Sequence, residues 1–425
     1  MNIYEIFSGN QENLFNQVVD HIDYFKRLNV DCVWFTPFYK SNSYHSYDAT
    51  DYTSIREEIG TIEEFKNMVK VLKENDIITC LDFVFAHTSS SHEWFNTKNE
   101  YYYWSDVKLE KRHQWNNEDQ ASHLAENWFY DDNRKKYYYA AFDKTMPSLN
   151  LDNESLRQEI IDVVNYWYNL GVRGLRLDAI IHVFPLDDNN EKRTEFWKWF
   201  KANIPSDCYV VGEAWTSYDI INQFSNALGS CFDFPLNSSL LYSIKSNNPL
   251  QVSDTLRYTN YHLTSFSSNH DTNRPINTLD FDIEKYKLYL WLSRLFAQKH
   301  YCLYYGDELG IAGFKEFNGD LCVRGKFDWD EVYRQLQDRN SFLNEYLSVN
   351  DLIESNEILK FGEIVRIDHE PHYDKLTVHK VFNNERIKIK LQRTDKNLDK
   401  HYTVRTFNGW DIVLIKYERV DYNGL

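Results

Sequence analysis

The segment GVRGLRLDAIIH, residues 171–182, reads as a buried strand that ends in two charged side chains. Side chains alternate between the two faces of a strand. One face of this strand therefore carries Val172, Gly174, Arg176 and Asp178. A structural explanation is that the aspartate caps the next helix and that the arginine pairs with it. The alternative is that both side chains belong to a functional site at the end of the strand, and the rest of the chain has to decide between the two.

Strand and helix patterns alternate from residue 1 to about residue 345. Candidate amphipathic helices lie near residues 12–28, 61–75, 153–170 and 191–203. Between and after them, eight apolar segments read as strands: IYEIF, DCVWF, IITCLDFVF, VRGLRLD, CYVVGEA, SCFDF, HLTSFSS and YCLYYG. Such alternation is typical of a parallel sheet with helical crossovers, and eight units predict a closed (β/α)₈ barrel of the α/β class, a TIM barrel.

Two regions depart from this alternation. The segment from Thr88 to Ser148 interrupts the barrel pattern after the third strand, and its length predicts a small inserted domain rather than an unstructured loop. Near the C-terminus, segments such as KLTVHKV and RIKIKLQ alternate without helical spacing, which predicts an antiparallel β-domain of the sandwich type. The predicted domains are a barrel (1–87 and 149–348), an inserted domain (88–148) and a C-terminal β-sandwich (349–425).

The composition argues against some classes of partner. The chain has 425 residues and a formal net charge of −17, which argues against binding to nucleic acid or to an anionic membrane. No segment approaches the roughly 20 apolar residues of a membrane-spanning helix, and the N-terminal MNIYEIFSGN lacks the pattern of a targeting signal. The six cysteines show no CxxC spacing, so we expect reduced thiols and a cytoplasmic protein. Nothing in the pattern indicates an oligomeric state.

Polar side chains collect at the carboxyl ends of the predicted strands, which is where a barrel of this type carries its active site. They are His87, Arg176, Asp178, Glu213, His270, Asp271 and Arg274. Capping or surface pairing explains one such residue, but not a set that follows several strands. The chain has no glycine-rich phosphate loop, no HExxH motif and no GxSxG elbow, so a carboxylate site remains. Two carboxylates about 5–5.5 Å apart cleave a glycosidic bond with retention, one as nucleophile and one as general acid and base.

The same segments resemble motifs of the α-amylase family of glycoside hydrolases and transglycosylases, in particular its neopullulanase and oligo-1,6-glucosidase-like branch. GLRLDAIIH resembles the nucleophile strand of that family, VVGEAW its acid/base strand, and FSSNHD the segment of its third carboxylate. HSYDATDY, DFVFAHTS, MPSLN and YYGDELG resemble further family segments in the same order, and GDLCVRGKFDWDE extends the match to about residue 331.

The resemblance implies a role for each matching residue. Asp178 would be the nucleophile, Glu213 the general acid/base, and Asp271 a ligand of sugar hydroxyls that helps to distort the ring. Arg176 would keep Asp178 ionised, because a neighbouring cation lowers the pKa of a carboxyl group. The other expected substrate contacts are Tyr47, which would stack under the sugar, and His87, His270 and Arg274.

Some nearby residues have a structural explanation as well. Asp82, Asp307 and Glu308 are expected to be structural. His182 fits either a leaving-group subsite or a helix cap.

The expected function is hydrolysis of α-1,4 bonds in maltooligosaccharides or dextrins by a retaining double displacement. Transfer to a sugar or to phosphate would use the same site, and MPSLN is closer to the form found in α-1,6-acting members of the family. The alternative of another class is an inactive, glucan-binding barrel, against which the intact Asp178, Glu213 and Asp271 argue.

No cofactor is expected. Members of the family often hold calcium between the barrel and the inserted domain, and an asparagine supplies one of its ligands. Here Ala86 occupies that position. A methyl group offers no oxygen to calcium, so we expect no calcium dependence.

Overall fold

We describe a computed structural model that covers residues 1–110, 126–370 and 374–417. Within these ranges and up to residue 310, the strands are β1 (Asn2–Ile6), β2 (Cys32–Phe35), β3 (Tyr39–Ser41), β4 (Ala49–Ile55), β5 (Ile78–Phe83), β6 (Trp104–Ser105), β7 (Trp128–Asp131), β8 (Lys136–Tyr139), β9 (Gly174–Leu177), β10 (Tyr209–Gly212), β11 (Thr264–Phe266) and β12 (His300–Tyr304). The α-helices in the described ranges are α1 (Leu14–Asp20), α2 (Ile22–Arg27), α3 (Ile62–Glu74), α4 (Glu93–Thr97), α5 (Glu154–Asn169), α6 (Asn190–Asn203), α7 (Tyr218–Leu228), α8 (Phe234–Lys245), α9 (Leu250–Thr255), α10 (Pro275–Thr278), α11 (Ile283–Leu295), α12 (Lys315–Asn318), α13 (Trp329–Gln337), α14 (Phe342–Glu354) and α15 (Glu357–Phe361).

A parallel sheet of seven strands confirms the predicted barrel. Its spatial order is β10-β9-β5-β2-β1-β12-β11, so the first strand pairs with the last. The segment SCFDF, predicted as the sixth strand, lies between β10 and β11 but forms only two isolated bridges, Gly212 with Cys231 and Phe232 with Thr264. The strand stops there because α8 begins at Phe234. The barrel is therefore nearly closed.

The alternation in segment 171–182 determines what fills the barrel. Gly174 pairs in register with Cys80 of β5, and Arg176 pairs with Asp82. A Cβ on Gly174 would lie 2.6 Å from the Cβ of Cys80, so only glycine fits at this position of the close-packed interior. An apolar cluster fills the lower part: Ile3, Cys32, Trp34, Cys80, Val211, Phe232, Phe234, Phe266 and Cys302. Asp82 follows Cys80 by two residues, and Arg176 follows Gly174 by two residues. The charged side chains therefore lie closer to the carboxyl ends of the strands than the apolar cluster does.

The helices pack outside the barrel with one apolar face inward. In α3 that face consists of buried Phe65, Met68, Val69 and Leu72, and Thr61 closes a capping box with Glu64 at the start of the helix. The sequence predicts a single helix near residues 12–28, but the structure has two, α1 and α2. His21 lies between them and has a non-helical backbone (φ −113°, ψ 24°). None of the helices in the described ranges is both long and apolar enough to cross a membrane.

The inserted segment forms a small layer over one side of the barrel mouth. His87 and Ser148 pair in an isolated bridge where the chain leaves and rejoins the barrel. Inside the segment, β6, β8 and β7 form an antiparallel sheet, and the Phe95 ring packs on those of Trp104 and Tyr138. Residues 111–125 of this predicted domain lie outside the described residues. A hairpin of β3 and β4, which the sequence patterns did not indicate, carries Tyr47 in its connection.

The C-terminal region is one sheet rather than the predicted sandwich. In the described residues its strands are β13 (Glu363–Glu370), β14 (Lys375–Phe382), β15 (Glu385–Arg393), β16 (Thr403–Phe407) and β17 (Trp410–Tyr417), in the antiparallel order β13-β14-β15-β17-β16. Helices α9, α11 and α15 contact this sheet, so helices take the place of a second sheet. The predicted boundary at residue 349 falls inside α14, which packs against α11.

Candidate active site

The three carboxylates predicted at the strand ends border one cavity. Asp178 directly follows β9, Glu213 directly follows β10, and Asp271 lies in the loop after β11. The cavity has a volume of about 960 Å³, which is at the upper end of the range for small-molecule sites. Other residues along its wall include Tyr47, His87, Phe142, His182, Trp215, Tyr242, Lys315 and Arg324.

Arg176 contacts two of these carboxylates, Asp178 and Glu213, and a third one, Asp82. Its side chain is 1% exposed, and its Nη1 lies 2.8 Å from Asp82 and 2.7 Å from Asp178. Its Nη2 lies 2.8 Å from Oε2 of Glu213, which also accepts a hydrogen bond from the backbone of Ala179. Arg176 itself does not border the cavity, so it acts on a substrate only through these carboxylates.

The two carboxylates that contact Arg176 and border the cavity, Asp178 and Glu213, both have raised pKa values. Burial raises the pKa of Glu213 to about 7 and that of Asp178 to about 6. The guanidinium lowers the pKa of Asp178, as the sequence indicates, but burial outweighs it. Both groups therefore hold a proton more readily near neutral pH than a free carboxyl group does, which is the range in which one serves as an acid while the other is ionised.

His270 connects Tyr47, Asp271 and Glu5. Its Nδ1 lies 2.7 Å from Glu5, and its Nε2 lies 2.6 Å from the Tyr47 hydroxyl and 3.1 Å from Asp271. Burial disfavours the imidazolium, but Asp271 and Glu5 outweigh it and raise the pKa of His270 to about 10. The ring is thus protonated and donates from both nitrogens. Tyr47 is held nearly parallel to it, with an interplanar angle of 16°, and borders the cavity.

Two further cations hold Asp271 from the other side. Nη2 of Arg324 lies 2.6 Å from its carboxylate, and Lys315 donates to its backbone carbonyl at 2.9 Å. Burial alone would raise the pKa of Asp271, but His270, Arg324 and Lys315 together hold it well below its usual value. Asp271 is therefore ionised near neutral pH, so it can accept hydrogen bonds from sugar hydroxyls but cannot donate a proton.

Of the predicted substrate contacts, Tyr47 and His87 border the cavity, whereas Arg176, His270 and Arg274 do not. His87 borders the cavity, but its Nε2 lies 3.0 Å from the Tyr47 carbonyl, and its Nδ1 is buried without a hydrogen-bond partner in the described residues. Arg274 is buried away from the cavity and donates to Asp307 and to the Tyr305 carbonyl. The structure therefore separates Arg274 from the other predicted site residues, and Arg324 is the arginine on the cavity wall.

The sequence matches the family described as alpha amylase, catalytic domain, over residues 14–370. The chain belongs to the α-amylase family. Alpha-amylase 3 of Dictyoglomus thermophilum is 33% identical over 362 residues, which are 77% of this chain and 67% of that relative. A 4-alpha-glucanotransferase of Thermotoga maritima is 25% identical over 408 residues, 87% of this chain and 89% of the relative. The crystal structure of an alpha-amylase from H. orenii has the same fold, with a TM-score of 0.81 at 22% identity over 97% of each chain. The protein is therefore an enzyme of the α-amylase type, a family that includes hydrolases and transferases.

Four residues around this α-amylase-type site were not selected from the sequence. Glu5 interrupts the apolar strand IYEIF. A charged residue in the middle of a barrel strand is unusual, and this feature of the sequence could have identified Glu5 as a site residue. Arg324 lies inside the family-like segment GDLCVRGKFDWDE, and Trp215 follows Glu213 by two residues in VVGEAW. Lys315, the first residue of α12, carries no such signal, because the surrounding sequence has no recognisable motif.

The junction where many family members hold calcium contains Ala86. Its side chain is buried, and its carbonyl accepts a hydrogen bond from Leu149 at 2.9 Å. Across the three described ranges, no group of three or more His, Cys, Asp or Glu side chains is arranged to hold a metal ion. Calcium takes about 6–8 oxygen ligands, and the methyl group of Ala86 supplies none of them.

We expect exhaustive chelation to leave activity and melting temperature unchanged. The reason is the missing side-chain ligand at Ala86. Thermal unfolding and turnover of a maltooligosaccharide would be measured before and after EDTA treatment, with added Mg²⁺ as the control and added Ca²⁺ as the test. A melting temperature that falls by several degrees and returns only with Ca²⁺ would contradict this expectation.

We expect a narrow, bell-shaped pH profile. Asp178 must be ionised to attack, so activity should rise as the pH increases through about 6. Glu213 must be protonated to donate, so activity should fall as the pH increases through about 7. The measurement is kcat/KM for a maltooligosaccharide across the acidic and alkaline range. An activity that stays constant well into the alkaline range is inconsistent with Glu213 as the acid.

Proposed function

We propose that this enzyme hydrolyses α-1,4 bonds of maltooligosaccharides or dextrins by a retaining double displacement. The observation that carries the proposal is the pair of Asp178 and Glu213, which contact one buried guanidinium and border the same cavity. Two carboxyl groups that share one site, one ionised and one protonated, serve as nucleophile and acid of a retaining glycosidase.

Each step uses a group placed at the cavity. Asp178 attacks the anomeric carbon while Glu213 gives its proton to the departing glycosidic oxygen, and a glycosyl ester of Asp178 forms. Glu213, now ionised, takes a proton from water, whose oxygen attacks the same carbon and releases Asp178. Asp271 and Tyr47 hold the sugar during both steps, Asp271 through its hydroxyls and Tyr47 through its ring.

Transfer is the second candidate function. In transfer, a sugar hydroxyl replaces water in the second step, and the carboxylates perform the same chemistry. The similarity to a 4-alpha-glucanotransferase over 87% of this chain supports this candidate. Cleavage of α-1,6 bonds is a variant of the same proposal and is supported by the segment MPSLN.

A cytoplasmic location is part of the proposal. All six cysteines are free, and five of them are buried. Unpaired thiols are typical of proteins that work in a reducing compartment.

Product analysis tests the proposed reaction. The protein would be incubated separately with maltooligosaccharides, pullulan, isomaltose, and sucrose with and without phosphate. We expect shortened maltooligosaccharides, with the α-anomer appearing first in proton NMR. Products longer than the substrate would indicate transfer, and cleavage of isomaltose would indicate α-1,6 activity. A β-anomer formed first would rule out retention, and the absence of any product would favour an inactive, glucan-binding barrel.

Two substitutions test the roles of the carboxylates. Asp178→Asn should lower turnover by about 10⁴-fold or more, because an amide cannot form the ester intermediate. Glu213→Gln should be nearly inactive on maltooligosaccharides but much less impaired on α-glucosyl fluoride, because fluoride leaves without a proton. The matched control is Glu63→Gln, which makes the same chemical change at an exposed position of α3. If Glu213→Gln loses activity equally on both substrates, Glu213 is not the acid.

A further inference from the structure

Helix α8 presents one face to the active-site cavity. Residues spaced by three or four positions lie on the same side of a helix. The cavity-lining residues of α8 follow this spacing: Asn237, Ser238, Leu241, Tyr242 and Lys245. They extend along roughly 12 Å of the helix axis at 1.5 Å per residue, which is longer than one sugar ring.

Trp215 links this face to the proposed acid. It follows Glu213 by two residues, borders the cavity and is 44% exposed. One face of its ring is stacked on Phe234, the first residue of α8, at a centroid distance of 4.8 Å and an interplanar angle of 16°. Phe234 is fixed in turn by an edge contact with Phe266. The indole is therefore held in one orientation before any ligand binds.

Tyr242 lies two helical turns further along α8. It borders the cavity and is 60% exposed. In the described parts of the chain, its ring makes no aromatic contact and its hydroxyl has no hydrogen bond. A single exposed aromatic residue is common on protein surfaces. Tyr242, however, lines the same cavity as Asp178 and Glu213. A flat ring with a polar edge suits stacking on a sugar.

The far end of this face carries an exposed ion pair. Lys245 lies 2.9 Å from Asp280, and both side chains are largely in solvent. Such pairs contribute little to stability, so Lys245 can exchange this partner for a sugar hydroxyl. The face of α8 thus combines an aromatic platform with polar groups, as small-molecule sites do.

We propose that Tyr242, together with Trp215, binds the leaving-group side of an α-glucan chain and so selects substrates with at least two sugar units beyond the cleaved bond. The inference rests on the proposed function, because Glu213 identifies the leaving-group side. The acid must reach the glycosidic oxygen, so the departing sugar lies beside Glu213 and Trp215.

The same surface binds the acceptor when transfer competes with hydrolysis. An acceptor hydroxyl oxygen then bonds to the anomeric carbon, the ester bond to Asp178 breaks, and the proton of the hydroxyl passes to Glu213. Sugar held on Trp215 and Tyr242 is positioned for this attack, whereas water needs no such surface. Tyr242 is thus a specificity-determining residue for the length of the leaving group and for the choice of acceptor.

The test compares two substrates that differ only in their use of this surface. Maltohexaose places sugar units on the leaving-group side, whereas α-maltosyl fluoride places none there. In Tyr242→Ala, we expect the ratio of kcat/KM for maltohexaose to kcat/KM for α-maltosyl fluoride to fall about tenfold. Reducing-end-labelled maltohexaose should also be cut closer to its labelled end, because fewer units are held beyond the cleaved bond.

Two variants complete the experiment. Tyr242→Phe keeps the ring and should restore the ratio to within about twofold of wild type. Tyr258→Ala removes a tyrosine that is 66% exposed and does not border the cavity, so it should match wild type. The inference is overturned if Tyr242→Ala leaves the ratio of the two kcat/KM values unchanged. This holds whether kcat/KM is retained for both substrates or falls equally for both. Failure of the proposed function can be told apart from failure of this inference. If the proposed function were wrong, the wild-type enzyme would turn over neither maltohexaose nor α-maltosyl fluoride.

Discussion

The active site depends on one buried cation. The alternation of β9 directs Arg176 into the barrel, where its guanidinium contacts Asp82, Asp178 and Glu213 at 2.7–2.8 Å. An unpaired buried charge costs several kcal/mol, so the arginine and the carboxylates are stable in this position only together. One cation does not neutralise three carboxylates, however. Burial and mutual repulsion therefore keep the pKa of Glu213 high enough for a proton to remain near neutral pH.

The neighbours of each carboxylate, rather than its own chemistry, determine its role. Asp178 and Glu213 share Arg176 and have raised pKa values, whereas Asp271 lies among His270, Arg324 and Lys315 and has a lowered one. In the proposed mechanism, the same functional group thus serves as nucleophile, proton donor and hydrogen-bond acceptor within one cavity. Glu5 extends this principle one layer deeper, because Asp271 and Glu5 together keep His270 protonated, and His270 contacts the Tyr47 hydroxyl.

The sequence predicts those parts of the site that depend on local rules. Strand alternation and the location of active sites at carboxyl strand ends suffice to bring Asp178, Glu213 and Asp271 together. The direction of a side chain in a loop is not a local property, and so Arg274 was selected although it faces Asp307 behind the cavity. The pattern of SCFDF fits a strand. However, Asp233 caps α8, so the strand ends after Cys231 and Phe232. Alternation in the C-terminal strands shows that one face is buried, but not that helices rather than a second sheet cover it.

The barrel and its carboxylates do not decide between hydrolysis and transfer. In the proposed mechanism, the glycosyl ester on Asp178 reacts with whichever hydroxyl is held near Glu213, and a bound acceptor competes with water in proportion to its effective concentration at that point. That concentration is set by the walls of the cavity, which come from the inserted segment, the loop after β10 and helix α8. Family members with one catalytic centre can therefore differ in reaction while they share a fold. If Trp215 and Tyr242 bind sugar as proposed, that binding is the decisive energy in this chain, because it acts on the acceptor and leaves the carboxylate cluster unchanged.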